Sequence, residues 1–399
     1  MRVLHLLDPA VLRPTEYRGR TLDLIDALRA QGVQTVQLAG PGPLGAPDDA
    51  AAIPPHHGCH VYRTAAPPLP ALPPSLAPDS LPRLVDAGVA AAALAWRLRQ
   101  VARLTRPDLV HVHAPSGHGP LWHALATWAG GCRRLPIVAE AERRGVRRQG
   151  LPAFDRWALA RAGALAAGSL EMRAALRASG VMCRRIAIIP PASPLAGLPR
   201  RERQPPGLEG APLLVFAGSL ARGGGIDLLL AALDLLRRHH PALRLLVAGG
   251  GLREDELAAR IADSPARGHV VLTGALPSRR VADVLPRADV AVFPALPGAA
   301  EPLTPPRCLL DAMAQGCTVV ASDIACHREL LVHGHNAMLF RAASRNALAE
   351  VLLGLLERPE RRRALGTAAA EFTAARHSWT TTASCYRQLY QAVLADGRP

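Results

Sequence analysis

The sequence predicts an α/β protein with two parallel sheets, and three observations lead to that prediction. Short apolar strands alternate with amphipathic helices, and the alternation restarts in the second half of the chain. A segment rich in proline, glycine and charge, residues 196–212, separates the halves. The length of 399 residues exceeds one ordinary core and suits two domains. We therefore expect two Rossmann-like domains facing across a cleft, over residues 1–195 and 213–375.

Composition narrows the classes of partner. The 47 basic residues are all arginine and outnumber 32 acidic residues, which gives a net charge of +15. Such a surface favours a polyanionic contact, either a nucleotide substrate or an anionic membrane face. Nucleic acid is disfavoured because the arginines are spread along the chain and no DNA- or RNA-binding motif occurs. Seven scattered cysteines without a CxxC pair, together with a first strand that lacks a signal-peptide core, predict a cytoplasmic protein with reduced thiols.

The first half opens as a βαβ unit. A strand from Val3 to Leu7 leads through a loop to the helix TLDLIDALRAQG, which ends at Gly32, and VQTVQLAG is the next strand. The loop and the start of the helix contain Tyr17 and Arg20 but lack the Gly-x-Gly-x-x-Gly sequence of a dinucleotide site. A bound NAD is therefore disfavoured, and no cofactor is expected.

Two histidines follow the next helix. Residues 41–82 are rich in proline and predict a long loop, and Leu84 to Thr105 predict a helix. The strand PDLVHVHAP then brings His111 and His113 to one face at its carboxyl end. Two histidines whose ring nitrogens form hydrogen bonds with backbone groups would fit this pattern. Two histidines that contact a ligand would fit it equally well. A metal site is disfavoured because no third ligand follows at a matching spacing.

The rest of the first half continues the alternation. LPIVAEAE predicts a strand ending near Glu140, and FDRWALARAGALAAGS predicts a helix and a short strand. MRAALRASG predicts another helix, and RRIAIIPPASP the last strand before the linker.

A glycine-rich loop opens the second half. The sequence GSLARGGG, Gly218 to Gly225, joins the strand PLLVFAGSL to the helix IDLLLAALDLLRRHH. Backbone N–H groups and the positive end of the helix dipole suit a phosphate there, and Arg222 adds a cation. It is not a P-loop, because the GK[ST] ending is absent. Further strands and helices alternate up to the strand DVAVFPA.

The next stretch, AEPLTPPRCLLDAMAQGCTVVASD, contains a pair of acids. Glu301 precedes a helix, Asp311 lies on that helix, Gly316 ends it, and the strand TVVAS follows. This order is typical of one half of a doubly wound α/β site. After two further helices, residues 376–394 predict an amphipathic helix with no strand of its own to cover. We expect that helix to cross back to the N-terminal domain.

Four segments resemble one family over essentially the whole chain. LDAMAQGCTVVASDIACHRELLVHGHNAMLF, GSLARGGGIDLL, PDLVHVHAP and RRIAIIPPAS resemble the GT-B glycosyltransferases of family 4. EYRGRTLDLIDALRAQGVQTVQL and TPPRCLLDAMAQG are most similar to the subgroup linked to exosortase and exopolysaccharide gene clusters.

The resemblance implies a retaining, metal-independent hexosyltransferase that uses a nucleotide-diphosphate sugar and a polysaccharide or lipid-linked glycan acceptor. It implies that Glu301 contacts the donor sugar and that Asp311 holds the ribose. The N-domain histidine role falls on His113, with His111 second, and Arg222 is the cation near the phosphates. The other residues implied to bind the donor are Gly218, Ser219, Gly223, Gly225, Thr304 and Arg20.

The chain also departs from the family pattern. Nine residues separate the two acids where the family has seven, and Pro305 and Pro306 remove backbone donors from the loop between them. Ser219 and Gly224 stand where the family has arginine and lysine. A degenerate protein that binds a nucleotide sugar or a partner without efficient catalysis is therefore the alternative. The arginine excess also suggests peripheral contact with the inner face of the cytoplasmic membrane.

Overall fold

The structure, a computed structural model, describes residues 1–7, 16–40, 61–64, 81–113, 136–141, 153–198, 211–251, 253–276, 284–298 and 302–396. The chain divides into two compact units. The first unit consists of Met1–Gly168, Met172–Ile189 and Ala383–Pro399. The second unit consists of Ser169–Glu171 and Pro190–Thr382.

The first unit is built on a seven-stranded parallel sheet of order β3-β2-β1-β4-β5-β6-β7. Its strands are β1 (Arg2–Leu7), β2 (Gln34–Ala39), β3 (Val61–Arg63), β4 (Leu109–Val112), β5 (Ile137–Ala141), β6 (Ala164–Ala167) and β7 (Ile186–Ile188). Its helices are α1 (Glu16–Ala30), α2 (Leu81–Thr105), α3 (Ala153–Ala160) and α4 (Leu170–Ala178). Apolar residues of β1, β2 and β4 pack against the buried side of α2. The central strand β4 is buried throughout, and β1 is buried from Val3 onward, as expected for a parallel sheet flanked by helices.

The long loop expected over residues 41–82 contains an edge strand. Val61–Arg63 pairs with β2 in parallel, with Val61 opposite Gln37. The segment was overlooked because three residues show no periodicity, and an edge position is decided by the neighbouring strand. The following helix begins at Leu81, within the range expected to be irregular.

The second unit is built on a six-stranded parallel sheet of order β10-β9-β8-β11-β12-β13. Its strands are β8 (Leu213–Ala217), β9 (Arg244–Ala248), β10 (Val270–Leu272), β11 (Val290–Phe293), β12 (Val319–Ser322) and β13 (Met338–Phe340). Its helices are α5 (Ile226–Leu236), α6 (Glu254–Ala262), α7 (Arg307–Ala314), α8 (Ala325–Arg328), α9 (Arg345–Leu356) and α10 (Pro359–Arg376). Two apolar clusters, one on each face of the sheet, form its core. The prediction of two parallel-sheet Rossmann-like domains is confirmed.

Strand β8 lies between β9 and β11, so the strand order reverses beside it. In open α/β sheets, ligands bind outside the carboxyl ends of the strands at such a reversal. The loops that follow β8 and β11 therefore border the favoured binding position of this unit.

The last helix, α11 (Trp379–Asp396), contributes most of its length to the first unit, from Ala383 onward. This agrees with the expected return of the C-terminal helix. Within the described residues, no helix combines the length and apolar character needed to cross a bilayer.

Candidate functional site

The loop after β8 is tied to the loop after β9. The N–H of Gly218 donates to the carbonyl of Ala248 at 3.0 Å, and that of Leu220 donates to Gly250 at 3.3 Å. A single 3₁₀ turn, Arg222–Gly224, precedes α5, and no side chain caps the first turn of α5. Because α5 follows the loop after β8, the positive end of its dipole lies at the carboxyl edge of the sheet, with no side chain capping it.

The same loop makes close backbone contact with the loop after β11. Gly225 has a φ of +76°, and a Cβ atom there would lie 1.8 Å from the carbonyl oxygen of Pro294. The N–H of Leu296 donates to the carbonyl of Gly223 at 2.9 Å. Only glycine fits at position 225, since both the left-handed backbone and the missing Cβ are required. These contacts join the two loops that border the reversal point.

Helix α7 carries Asp311, the acid expected to hold a ribose. The side chain is buried, and its Oδ1 accepts a 2.6 Å hydrogen bond from the hydroxyl of Ser193. The backbone N–H of Ser193 donates to the carbonyl of His377 at 2.9 Å, which fixes the serine in place. One carboxylate oxygen of Asp311 is thus engaged within the protein, and a ribose would have to displace Ser193 or reach the other oxygen.

Arg307, the first residue of α7, brings a cation to the same helix. Its Nε lies 3.8 Å from Oδ2 of Asp311, and its side chain is 26% exposed. Among the described residues, that Nε has no hydrogen-bond partner. Pro306, the N-cap residue before α7, offers no capping side chain, and the first turn of the helix contains no acid. Arg307 is therefore a candidate phosphate contact that the sequence analysis overlooked.

A second arginine near the glycine loop is already neutralised. Arg253 donates to Asp227, in the first turn of α5, at 2.9 Å, and to Glu256 at 2.9 Å. Hydrogen bonds from Arg253 chiefly, and from Arg260, hold the pKa of Asp227 below its usual range. Because its charge is balanced by these acids, Arg253 is a weaker candidate for a phosphate contact than Arg307.

In the first unit, three histidines form a buried cluster at the carboxyl ends of neighbouring strands. His5 on β1 pairs in register with His111 on β4, and His113 follows β4 directly. The rings of His111 and His113 are 4.1 Å apart between centroids, and Nδ1 of His5 lies 2.9 Å from Nε2 of His113. All three side chains are fully buried.

A carboxylate and two phenols complete the histidine cluster. Oε1 of Glu140 lies 3.5 Å from Nε2 of His111 and 3.3 Å from Nδ1 of His113. From α11, Tyr386 donates to Oε1 of Glu140 at 2.8 Å, and the Tyr390 hydroxyl lies 2.7 Å from Nδ1 of His111.

Burial and charge set the ionisation of this cluster. Burial by itself raises the pKa of Glu140, but the neighbouring bases, His113 foremost, outweigh burial and hold that pKa well below its usual range. Burial lowers the pKa of His5 and raises the pKa values of Tyr386 and Tyr390. The cluster therefore contains an ionised carboxylate, and the pKa of the His5 ring is lowered by burial.

The predicted site residues fall into three groups. Gly218, Ser219, Gly223, Gly225, Thr304 and Asp311 lie in the second unit, on or beside the two joined loops and α7. His111 and His113 lie in the buried cluster of the first unit, and Arg20 is exposed on α1. Glu301 lies outside the described residues, and only the backbone of Arg222 is described.

Several residues were overlooked for identifiable reasons. Arg307 precedes Asp311 by four positions, a spacing that places both on one helix face and could have been noticed. Ser193 and His5 gave no such signal, because their contacts depend on segments that are distant in sequence. Tyr386 and Tyr390 lie on the predicted last helix, but their contacts with Glu140 and His111 join segments that are distant in sequence.

Comparison with known families matches both halves of the chain. Residues 17–192 match the family described as glycosyl transferase 4-like domain, and residues 200–372 match the family described as glycosyl transferases group 1. The chain joins these two glycosyltransferase domains. The similarity to the exosortase-linked subgroup is not tested by these matches and stays a prediction.

A curated relative is similar to part of the chain. A phosphatidyl-myo-inositol mannosyltransferase from Mycolicibacterium smegmatis is 31% identical over 173 residues, which cover 43% of this chain and 43% of the relative. The match thus spans less than half the length of that curated relative.

Two solved structures share the fold. A sucrose-phosphate synthase from Thermosynechococcus elongatus superimposes with a TM-score of 0.74 at 19% identity, over 99% of this chain and 100% of that one. HepE from Anabaena, in complex with UDP, superimposes with a TM-score of 0.71 at 18% identity, over 98% and 100% of the chains. At these identities the likeness shows the GT-B fold alone.

Proposed function

We propose that this protein transfers a hexose from a nucleotide-diphosphate sugar to a polysaccharide or lipid-linked glycan, with retention at the anomeric carbon and without a catalytic metal. The observation that carries the proposal is the junction between the loops after β8 and β11, made by the Leu296–Gly223 hydrogen bond. It brings the N-terminal turn of α5 to the reversal point, where a diphosphate would find backbone donors and a helix dipole.

The transfer requires stabilisation of a departing diphosphate. The bond between the anomeric carbon and the diphosphate oxygen breaks, and its electron pair leaves with the diphosphate. The first turn of α5, Arg222 and Arg307 stabilise that charge, and Glu301 orients the sugar hydroxyls. The acceptor oxygen then bonds to the anomeric carbon from the same face, and its proton passes to the departing phosphate. The roles of Glu301 and Arg222 rest on the family resemblance.

The histidines have a different place in this proposal. His111 and His113 are fully buried, so a contact with a sugar would require their cluster to open. We therefore leave both out of the donor contacts, although the resemblance implies a role for His113. Arg20 stays in the proposal as an exposed phosphate contact of the first unit.

Relatives support the classes of donor and acceptor. HepE binds UDP, and the mycobacterial relative is named for mannosyl transfer to phosphatidyl-myo-inositol. A lipid-linked acceptor would also suit the net charge of +15, through peripheral binding to anionic membrane in the cytoplasm. Co-sedimentation with anionic vesicles that is lost at high salt is the expected result, and no binding at low salt would remove that part of the proposal.

A donor screen tests the proposal. UDP-, GDP- and ADP-sugars are compared by the shift in melting temperature, since a ligand that binds the folded state raises it. The best donor is then assayed for hydrolysis and transfer in Glu301→Gln and Arg222→Ala. We expect both variants to lose turnover while Arg238→Ala, at an exposed arginine of the same unit, keeps it. Near-normal turnover in both site variants would contradict the proposal.

A degenerate nucleotide-sugar-binding protein is the second candidate, and the Ser193–Asp311 hydrogen bond favours it because it engages the proposed ribose acid. Calorimetry combined with the hydrolysis assay separates the two candidates. Tight donor binding without hydrolysis or transfer to any glycan or lipid-linked acceptor would support the second.

A further inference from the structure

We propose that His5, His111 and His113 bind one divalent transition-metal ion inside the first unit, with Glu140 beside them to balance its charge. The sequence analysis disfavoured a metal site because no third ligand follows His111 and His113 along the chain. The third ligand comes instead from β1, because the parallel register sets His5 opposite His111. The ion is structural, and the proposal does not depend on the sugar transfer proposed above.

The distances suit a single ion. One ring nitrogen from each histidine lies within 4.8 Å of the other two. A tetrahedral ion bound at about 2.0–2.1 Å would separate its nitrogen ligands by roughly 3.4 Å. The pair formed by His5 Nδ1 and His113 Nε2 is already closer than this, at 2.9 Å. Formation of the site would require this pair to separate slightly and the His111 nitrogen to reach the same spacing.

The surrounding oxygens suit the ligand tautomers. A metal-bound histidine usually donates its other N–H to a carboxylate or another oxygen. Nδ1 of His111 lies 2.7 Å from the Tyr390 hydroxyl, and Nδ1 of His113 lies 3.3 Å from Oε1 of Glu140. If both Nδ1 atoms are protonated, the Nε2 lone pairs become the ligand atoms.

A metal ion would take the place of the proton that otherwise lies between His5 and His113. With Nε2 of His113 as a ligand atom, its lone pair faces Nδ1 of His5 at 2.9 Å, which requires a proton or a metal ion between them.

Charge and donor chemistry select the class of ion. Glu140 is a buried carboxylate, and burying a carboxylate is costly unless a cation lies close to it. The nearby Arg20 is exposed at the surface. A divalent ion among three neutral imidazoles would offset the charge of Glu140 directly. Imidazole ligands favour zinc, cobalt, nickel or copper over magnesium or calcium, which prefer oxygen.

Metal content tests the proposal. The protein is expressed in minimal medium with added zinc or with added cobalt, and bound metal is measured by mass spectrometry after gel filtration. We expect about one ion per chain, visible absorption bands typical of tetrahedral cobalt, and a melting temperature that falls when a chelator removes the ion. Because sugar transfer enters none of these measurements, their failure leaves the proposed function untouched.

Two variants of the cluster and one control variant sharpen the test. His5→Gln should lose the ion, and His239→Gln, at an exposed histidine of the second unit, should keep it. Tyr390→Phe, which removes an oxygen beside His111, should weaken binding about 10- to 100-fold. The proposal is overturned if the wild type binds well below one ion in both media and shows no cobalt bands. A full complement of bound metal in folded His5→Gln would overturn it as well, and so would an equal loss of metal in His239→Gln.

Discussion

The hydroxyl of Ser193 donates a 2.6 Å hydrogen bond to Oδ1 of Asp311, although 118 residues separate them in the chain. Both side chains are buried, and both belong to the second unit. The bond connects the segment after β7 to helix α7, which carries residues of the proposed donor site. Asp311 is therefore tied to the stability of this unit as well as to its proposed function.

Removing the Ser193 hydroxyl should destabilise the protein. Ser193→Ala removes this hydrogen bond to a buried carboxylate, and a hydrogen bond to a charged group contributes about 1.5–3 kcal/mol. We expect the free energy of unfolding, measured by urea denaturation, to fall by about that amount. Ser264→Ala is the control, since its partly buried hydroxyl donates only to the carbonyl of Ile261. Equal effects in the two variants would show that the bond to Asp311 adds nothing.

A Cβ atom at Gly225 should disturb the joined loops. Gly225 and Gly32 have similar φ angles, +76° and +80°, but only Gly225 is close to backbone, at Pro294. Gly32→Ala should lower the free energy of unfolding by about 1–2 kcal/mol, because alanine is strained in the left-handed conformation. Gly225→Ala should cost about 1–3 kcal/mol more, because the loop after β11 must move. Thermal unfolding measures both, and equal losses would contradict the close contact.

Stability should fall in mild acid because of His377. Its Nδ1 lies 2.8 Å from the Pro191 carbonyl, and burial chiefly, with the charge of Arg376, lowers its pKa. The unfolded chain, with a pKa near 6.5, therefore binds this proton at a higher pH than the folded chain. The stability contributed by His377 is complete above a pH of about 6.5. It is lost as the pH falls from there through the lower pKa that His377 has in the folded chain.

Unfolding curves at several pH values check the His377 prediction. His377→Asn keeps a donor for the Pro191 carbonyl but does not titrate. The wild type should lose more stability than this variant when the pH is lowered from neutral to mildly acidic. Parallel losses in both proteins would assign the acid sensitivity to other groups.

Arg307 should contribute to nucleotide affinity. Arg307→Gln removes a partly exposed cation from the start of α7, and hydrogen bonds to charged groups contribute about 1.5–3 kcal/mol. We expect the Kd for the donor diphosphate, measured by calorimetry, to rise about 10- to 100-fold. Arg345→Gln is the matched control, since Arg345 also begins a helix of the second unit but is exposed. An unchanged Kd in Arg307→Gln would remove this residue from the proposed site.

Local signals in the sequence were sufficient for the main elements of the fold. The glycine loop before α5 and the strand after Gly316 could be predicted because turn chemistry and apolar periodicity act over a few residues. The edge strand Val61–Arg63 could not, because its pairing is decided by β2. The donor loops were predicted as separate motifs, and their junction through Gly223 and Leu296 became visible only in the folded sheet.

The sequence by itself therefore determined the alternation of strands and helices, the two-domain division and the residue types available for a phosphate. Only the tertiary structure decided which distant side chains meet. The register of β1 against β4 brings His5 to His111, α11 adds two phenols, and Ser193 reaches Asp311. The physical reason is the separation along the chain of the residues that interact. Helix and turn preferences depend on neighbouring residues. These buried polar contacts form only when sheet order and helix packing bring separate segments together.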